Sequence, residues 1–170
     1  SLTAQTNPAT WYLNDTSGGI QSNTNTASGI FSVAMGYATI AIGQYSTSMG
    51  RDTSASGTYS TALGAYTIAS GDFSTAMGYS TTASGSSSTA IGANTEASGI
   101  GSTAMGYNST ASDWSSLVMG QFNLSGSTVT TSATEFSLDN TAFVVGNGTD
   151  SDSRSDALVV KFNGDATLAG

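Results

Sequence analysis

Residues 71–84 read GDFSTAMGYSTTAS and residues 85–98 read GSSSTAIGANTEAS. Laid one above the other, they keep Gly, Ser, Thr, Ala, Gly, Thr, Ala and Ser in the same places. The register extends in both directions. Gly36, Gly50, Gly64, Gly78, Gly92, Gly106 and Gly120 each lie 14 residues apart and close the words SVAMG, STSMG, STALG, STAMG, STAIG, STAMG and SLVMG. The serines that open those words, Ser32 to Ser116, keep the same step. Half a period away stands a second word: ASG at Ala27, AIG at Ala41, ASG at Ala55, Ala69, Ala83 and Ala97, and ASD at Ala111.

A period of 14 suits one rung of a solenoid, with two short strands and two tight turns. Rungs that stack by strand pairing lie about 4.8 Å apart, so equivalent residues form columns and seven rungs make a rod of roughly 30 Å. Glycine takes the positive φ of a tight turn, which assigns the seven column glycines to turns. A helical reading fails, because Gly, Ser and Thr recur inside every candidate helix.

Alternation puts Thr and Met of STAMG on one face and Ala on the other. Met35, Met49, Leu63, Met77, Ile91, Met105 and Met119 are the only large side chains kept in every rung. They are therefore expected to fill the interior, facing Ala41, Ala55, Ala69, Ala83 and Ala97. The column Ala34, Ser48, Ala62, Ala76, Ala90, Ala104 and Val118 then faces outward, where small residues let a second backbone approach. One large apolar side chain per rung is little to set against the ordering of 14 residues. Several rolls are expected to pack along the small-residue face, with a parallel homotrimer as the natural solution for a fibre.

The words SVAMG and STAMG at this period resemble the NSVAIG-type repeat in the heads of trimeric autotransporter adhesins of the YadA type. The resemblance covers about residues 22–120. It implies a left-handed parallel β-roll, a trimer and a role in attachment to an extracellular glycan or protein. The Asn that opens the family word is replaced here by Phe31, Tyr45, Tyr59, Phe73, Ser87, Gly101 and Ser115.

Outside the period lie residues 1–21, expected to be an N-terminal cap around Trp11, Tyr12 and Leu13, and residues 121–170, expected to be a β-rich cap or adapter. STVTTSATEFSLDNTAFVV (127–145) is β-branched and alternating and reads as strands. ALVVKF reads as another and ATLAG as a last one. This end looks like the pieces that follow such repeats in tail-fibre-like proteins. A phage, viral or contractile-injection tail fibre is therefore the alternative to a cell-surface adhesin.

Composition narrows the function. Ser, Thr and Gly make 77 of the 170 residues, there is no His or Cys, and the net charge is −8 with only Arg51, Arg154 and Lys161 as cations. That excludes Ser-His-Asp and Cys chemistry, imidazole or thiolate metal sites and disulfides. It also argues against nucleic-acid binding. No apolar run is long enough for a membrane span. Asp52, Asp72, Glu96 and Asp113 fall in different columns on different rungs, so no glycosidase pair forms. No enzyme and no cofactor are expected.

Asp150, Asp152 and Asp156 alternate as hard-cation ligands do, but Arg154 stands among them and the loop lacks the glycine of a calcium hand. They read as a solvated turn. Phe31, Tyr45, Tyr59 and Phe73 form an unbroken aromatic column, either a stabilising stack or a ligand platform. With Trp114, which stands off that column, they are the ligand-contact candidates. Thr47, Thr61, Thr75, Thr89 and Thr103 form a ladder of the kind ice-binding solenoids use. Alternation puts it on the Met side, toward the expected core, which disfavours an ice-binding solenoid.

Overall fold

The computed structural model describes residues 24–169, together with the backbone of Tyr12–Leu13 and Ile20–Gln21. The side chains of the expected N-terminal cluster Trp11, Tyr12 and Leu13 lie outside the described residues. In chain order the strands are β1 (Tyr12–Leu13), β2 (Ile20–Gln21), β3 (Thr26–Ala27), β4 (Val33–Tyr37), β5 (Ile40–Ala41), β6 (Thr47–Arg51), β7 (Ser54–Ala55), β8 (Thr61–Ala65), β9 (Ile68–Ala69) and β10 (Thr75–Tyr79). They continue as β11 (Thr82–Ala83), β12 (Thr89–Ala93), β13 (Glu96–Ala97), β14 (Thr103–Tyr107), β15 (Thr110–Ala111), β16 (Leu117–Gln121), β17 (Thr141–Asn147), β18 (Asp156–Lys161) and β19 (Ala166–Leu168). The described residues contain no helix.

The protein is an all-β parallel β-solenoid of about seven turns. Each rung contributes a five-residue strand to a long sheet and a two-residue strand to a facing short sheet. Pairing is in register with the repeat: Thr75, Ala76, Met77 and Gly78 sit beside Thr89, Ala90, Ile91 and Gly92, and so on from rung to rung.

The inside and outside of the roll are the reverse of the sequence expectation. Ala34, Ser48, Ala62, Ala76, Ala90, Ala104 and Val118 are fully buried, and with Ala27, Ala41, Ala55, Ala69, Ala83, Ala97 and Ala111 they make the core. Met35, Met49, Leu63, Met77, Ile91, Met105 and Met119 lie on the outer face of the long sheet. Met49, Met77 and Met105 remain 37–39% exposed there. The physical reason is width. Tight turns at both ends hold the two sheets so close that alanine already meets alanine across the interior, and methionine has no room. Sheets that interleave large side chains stand about 10 Å apart. The small-residue column, expected to be the surface where rolls pack together, is the interior and takes no part in such packing.

Glycine plays a different role from the one expected. Gly36 to Gly120 do carry positive φ, from 103° to 136°, but they sit inside the long strands and not in the turns. A Cβ on any of them would run into the carbonyl oxygen of the next glycine in the column. The left-handed turn positions belong to other residues. One column runs from Phe31 through Tyr45, Tyr59, Phe73 and Ser87 to Ser115, and the other from Ala38 through Asp52, Tyr66, Ser80, Asn94 and Asn108 to Phe122.

The interior threonine file, Thr39 to Thr95, continues as Ser109 and ends in asparagine both ways. Asn25 accepts from the Thr39 amide at 3.0 Å, and Asn123 accepts from the Thr110 amide at 2.8 Å. The longer asparagine amide satisfies backbone groups that a further rung would otherwise pair.

Past Gly120 the lattice does not stop. β17 adds to β16 in parallel, with Val144 in the alanine column, fully buried, and Gly146 beside Gly120. The 26-residue gap from Gly120 to Gly146 is thus a rung with an insertion. Of the stretch 127–145 expected as strands, residues 141–145 are in β17, whereas 127–140 belong to an irregular excursion of residues 124–140. There the Ser132 and Ser137 hydroxyls and the Asn140 amide take up nearby backbone groups, which competes with strand pairing. β18 and β19 then close the long sheet in antiparallel fashion, with Val159 packed on the core.

Candidate functional site

The turn that leads from each short strand into the next long strand makes a corner running the length of the roll. Phe31, Tyr45, Tyr59 and Phe73 occupy it in successive rungs, each at φ between 55° and 59°. This is a region that favours Gly, Asn and Asp, and an aromatic residue there is strained by about 1–2 kcal/mol. The turn itself does not demand a ring, since Ser87, Gly101 and Ser115 fill the same column further on. The rings stack, with centroids 5.5, 4.7 and 5.1 Å apart and planes within 17°. They stay 41–62% exposed. Each inner ring has its faces covered by its neighbours, so the ladder offers ring edges and two phenol hydroxyls to the outside.

Trp114 does not join this ladder. It precedes Ser115 in the chain, is partly buried, and packs edge-on against Phe136 at 5.6 Å and tilted against Phe162 at 5.9 Å. It anchors the excursion. The thread that ties this excursion down is Asp113, which stands where earlier rungs have Gly99 or Gly85. Fully buried, it accepts from the amides of Thr130 at 2.6 Å and Thr141 at 2.8 Å and from the Thr141 hydroxyl. The departure of ASD from the ASG word was the sequence signal for this clamp.

The three C-terminal aspartates are not brought together. Asp156 accepts from the amides of Leu124 at 2.9 Å and Ser125 at 2.7 Å. Asp150 accepts from Asp152 at 3.0 Å and Ser153 at 2.8 Å, and these amides hold its pKa below the ordinary carboxylate value. Among the described residues no group of three metal-ligating side chains forms.

At the opposite corner stands a second aromatic group that the columns alone did not single out. Arg51 lies over the Tyr66 ring at 5.6 Å, and Tyr66 meets Tyr79 edge-on at 5.6 Å. Tyr37 and Tyr107 lie in the same outer column as Tyr79. The tyrosines that follow Gly36, Gly78 and Gly106 were the available signal. Arg51 also pairs with Asp52 at 3.1 Å, an exposed contact of little energetic weight.

The outer face of the long sheet runs through all the rungs. The Met column runs along its middle, with Val33, Thr47, Thr61, Thr75, Thr89, Thr103 and Leu117 beside it, all partly exposed. The threonine ladder, expected toward the core, lies outside with the methionines.

Small-residue rungs of 14, parallel stacking and an apolar outer column define a parallel β-solenoid of the β-roll type. The model of the YadA head domain repeat matches residues 23–39, 41–67, 69–95 and 97–122, more than half of the chain, and the chain belongs to that family. No curated protein sequence matches it significantly.

Proposed function

We propose that the chain is a non-enzymatic adhesive head of a trimeric, extracellular surface fibre. The YadA head repeats over residues 23–122 carry this reading. The unpartnered Met face of the long sheet supports the trimer. An outward-facing column of Met, Leu and Ile kept through seven rungs suits an interaction surface. Three rolls that meet on this face bury the methionines and leave both aromatic corners toward solvent or the seams between protomers. Attachment is then multivalent, since three copies of a weak site raise avidity without new contacts.

Analytical ultracentrifugation of the 170-residue protein tests the assembly. A mass of three chains is expected, and a stable folded monomer overturns it. Adhesion of protein-coated beads to host cells or matrix tests the function. Beads that bind no better than albumin-coated ones overturn it.

A further inference from the structure

The corner that carries the aromatic ladder is used once by the chain itself. In the last rungs Ile100 and Trp114, each just before the ladder position, donate their amides to the carbonyls of Ala133 at 2.8 Å and Ser132 at 3.0 Å. Consecutive carbonyls thus meet consecutive rungs, and this stretch runs along the roll axis from the C-terminal rungs toward the N-terminal ones. An edge-on aromatic contact, Trp114 with Phe136, completes the grip.

The repeat sets the same amide at the same corner in the other rungs, at Ile30, Gln44, Thr58, Asp72 and Ser86. The Thr58 amide is taken by the Asp72 carboxylate at 2.8 Å, so an oxygen acceptor seats there too. The amides of Ile30, Gln44, Asp72 and Ser86 have no acceptor among the described residues. Next to them stand the exposed rings of Phe31, Tyr45, Tyr59 and Phe73.

We infer that this corner binds a polypeptide segment that bends along it as residues 132–133 do. Its carbonyls sit on the amides of Ile30, Gln44, Asp72 and Ser86, and its apolar or aromatic side chains lie against the edges of the Phe31–Tyr45–Tyr59–Phe73 ladder. The inference deepens the adhesive reading, on which it rests, by naming the class of ligand. A polypeptide fits better than a sugar for two reasons. A sugar ring stacks on an open aromatic face, and here the inner faces are covered by their neighbours. A polypeptide backbone supplies carbonyl acceptors to the amides of successive rungs when it bends along this corner, as residues 132–133 do. The Asp72 carboxylate and the net charge of −8 favour a neutral or basic segment over an acidic one.

The test selects displayed random 12-residue peptides on the full 170-residue protein. It compares them on a variant carrying Phe31→Ser, Tyr45→Ser, Tyr59→Ser and Phe73→Ser. Serine already occupies this column at Ser87 and Ser115, so the turn accepts it. Enriched peptides are expected to lose at least tenfold in affinity on the variant. In the parent protein they should slow hydrogen exchange at the amides of Ile30 and Gln44, a readout that needs no variant. Should the fourfold change impair folding, Tyr45→Ser with Tyr59→Ser carries the same comparison. Absence of enrichment, equal binding to the variant, or protection elsewhere overturns the inference. So does ladder-dependent binding to a glycan array without any peptide binding. The bead assay separates the two proposals. Beads that attach equally well with the serine variant, with no peptide bound, refute the ladder alone. Peptide binding by a protein whose beads never attach refutes the adhesive reading alone.

Discussion

Ser48 and Thr53 meet across the interior of the roll with their hydroxyl oxygens 2.7 Å apart. Ser48 is the one serine in a column otherwise filled by alanine and valine, and Thr53 belongs to the buried threonine file. The hydroxyls of Thr39, Thr67, Thr81 and Thr95, which face alanine instead, have no partner among the described residues. A single extra oxygen in one rung therefore supplies what its neighbours lack. Ser48→Ala should lower stability by about 1 kcal/mol. Ala62→Ser, placed opposite Thr67, should raise it by a similar or smaller amount. Urea unfolding of the two variants checks the opposite signs.

Ala76 and Met77 are adjacent and point to opposite sides of the long sheet. Ala76→Leu should destabilise the roll by about 1–3 kcal/mol or more, since the site is fully buried and overpacked by any larger residue. Met77→Asp should leave the rung folded and instead separate the protomers, because a charge then stands in the proposed trimer face. Circular dichroism beside sedimentation distinguishes them. A Met77→Asp protein that loses its strand signal, or one that stays folded and trimeric, contradicts the assignment of faces.

Gly78→Ala should cost more than about 4 kcal/mol, the range reserved for strain in a packed backbone. Its Cβ would meet the Gly92 carbonyl oxygen, and its φ of 125° is one that side chains rarely adopt. Gly164→Ala is the comparator. It has the same sign of φ at 91° but open space around it, so only about 1–2 kcal/mol is expected. Thermal melts of both variants measure the difference.

Asp113→Ala should release the excursion without unravelling the rungs. Three donors, the amides of Thr130 and Thr141 and the Thr141 hydroxyl, lose a buried charged acceptor, each bond worth about 1.5–3 kcal/mol. Hydrogen exchange should quicken at Thr130 and Thr141 by well over tenfold. Met77 and Ile91 amides, three and two rungs from that of Met119, should keep parental rates.

Asp150 should give the loop around it a weak acid sensitivity. The Asp152 and Ser153 amides depress its pKa in the folded state. Its contribution is therefore complete above the ordinary carboxylate value and is lost as pH falls through the depressed one. Exchange at the Ser153 amide should rise only in that acid window, and Asp150→Asn should abolish the pH dependence. The group is fully exposed, so the global melting temperature should not move.

How far the sequence alone could be read depends on the kind of information each residue carries. The glycine step from Gly36 to Gly120 set the period by its spacing alone, although the glycines were expected in turns; the structure puts them inside the strands, where no side chain fits between one glycine and the next. The roll, its period and its register were legible from that spacing. The clamp by Asp113 and the second aromatic corner at Arg51, Tyr66 and Tyr79 left only faint marks. Their partners lie up to 28 residues away in the chain or on another rung.

Alternation in STAMG determined that Thr and Met share one face and Ala the other, but it is silent on which face is inside. That choice belongs to the tertiary structure. Two tight turns per rung set the sheets at a distance that Ala, Ser and Thr fill, with Val118 and Val144 in the last rungs, so volume overrules hydrophobicity and the methionines go out. Met77 is thereby not the core of one roll but a surface awaiting another. The aromatic ladder, a column in the sequence, becomes a corner with open amides only once the rungs are stacked.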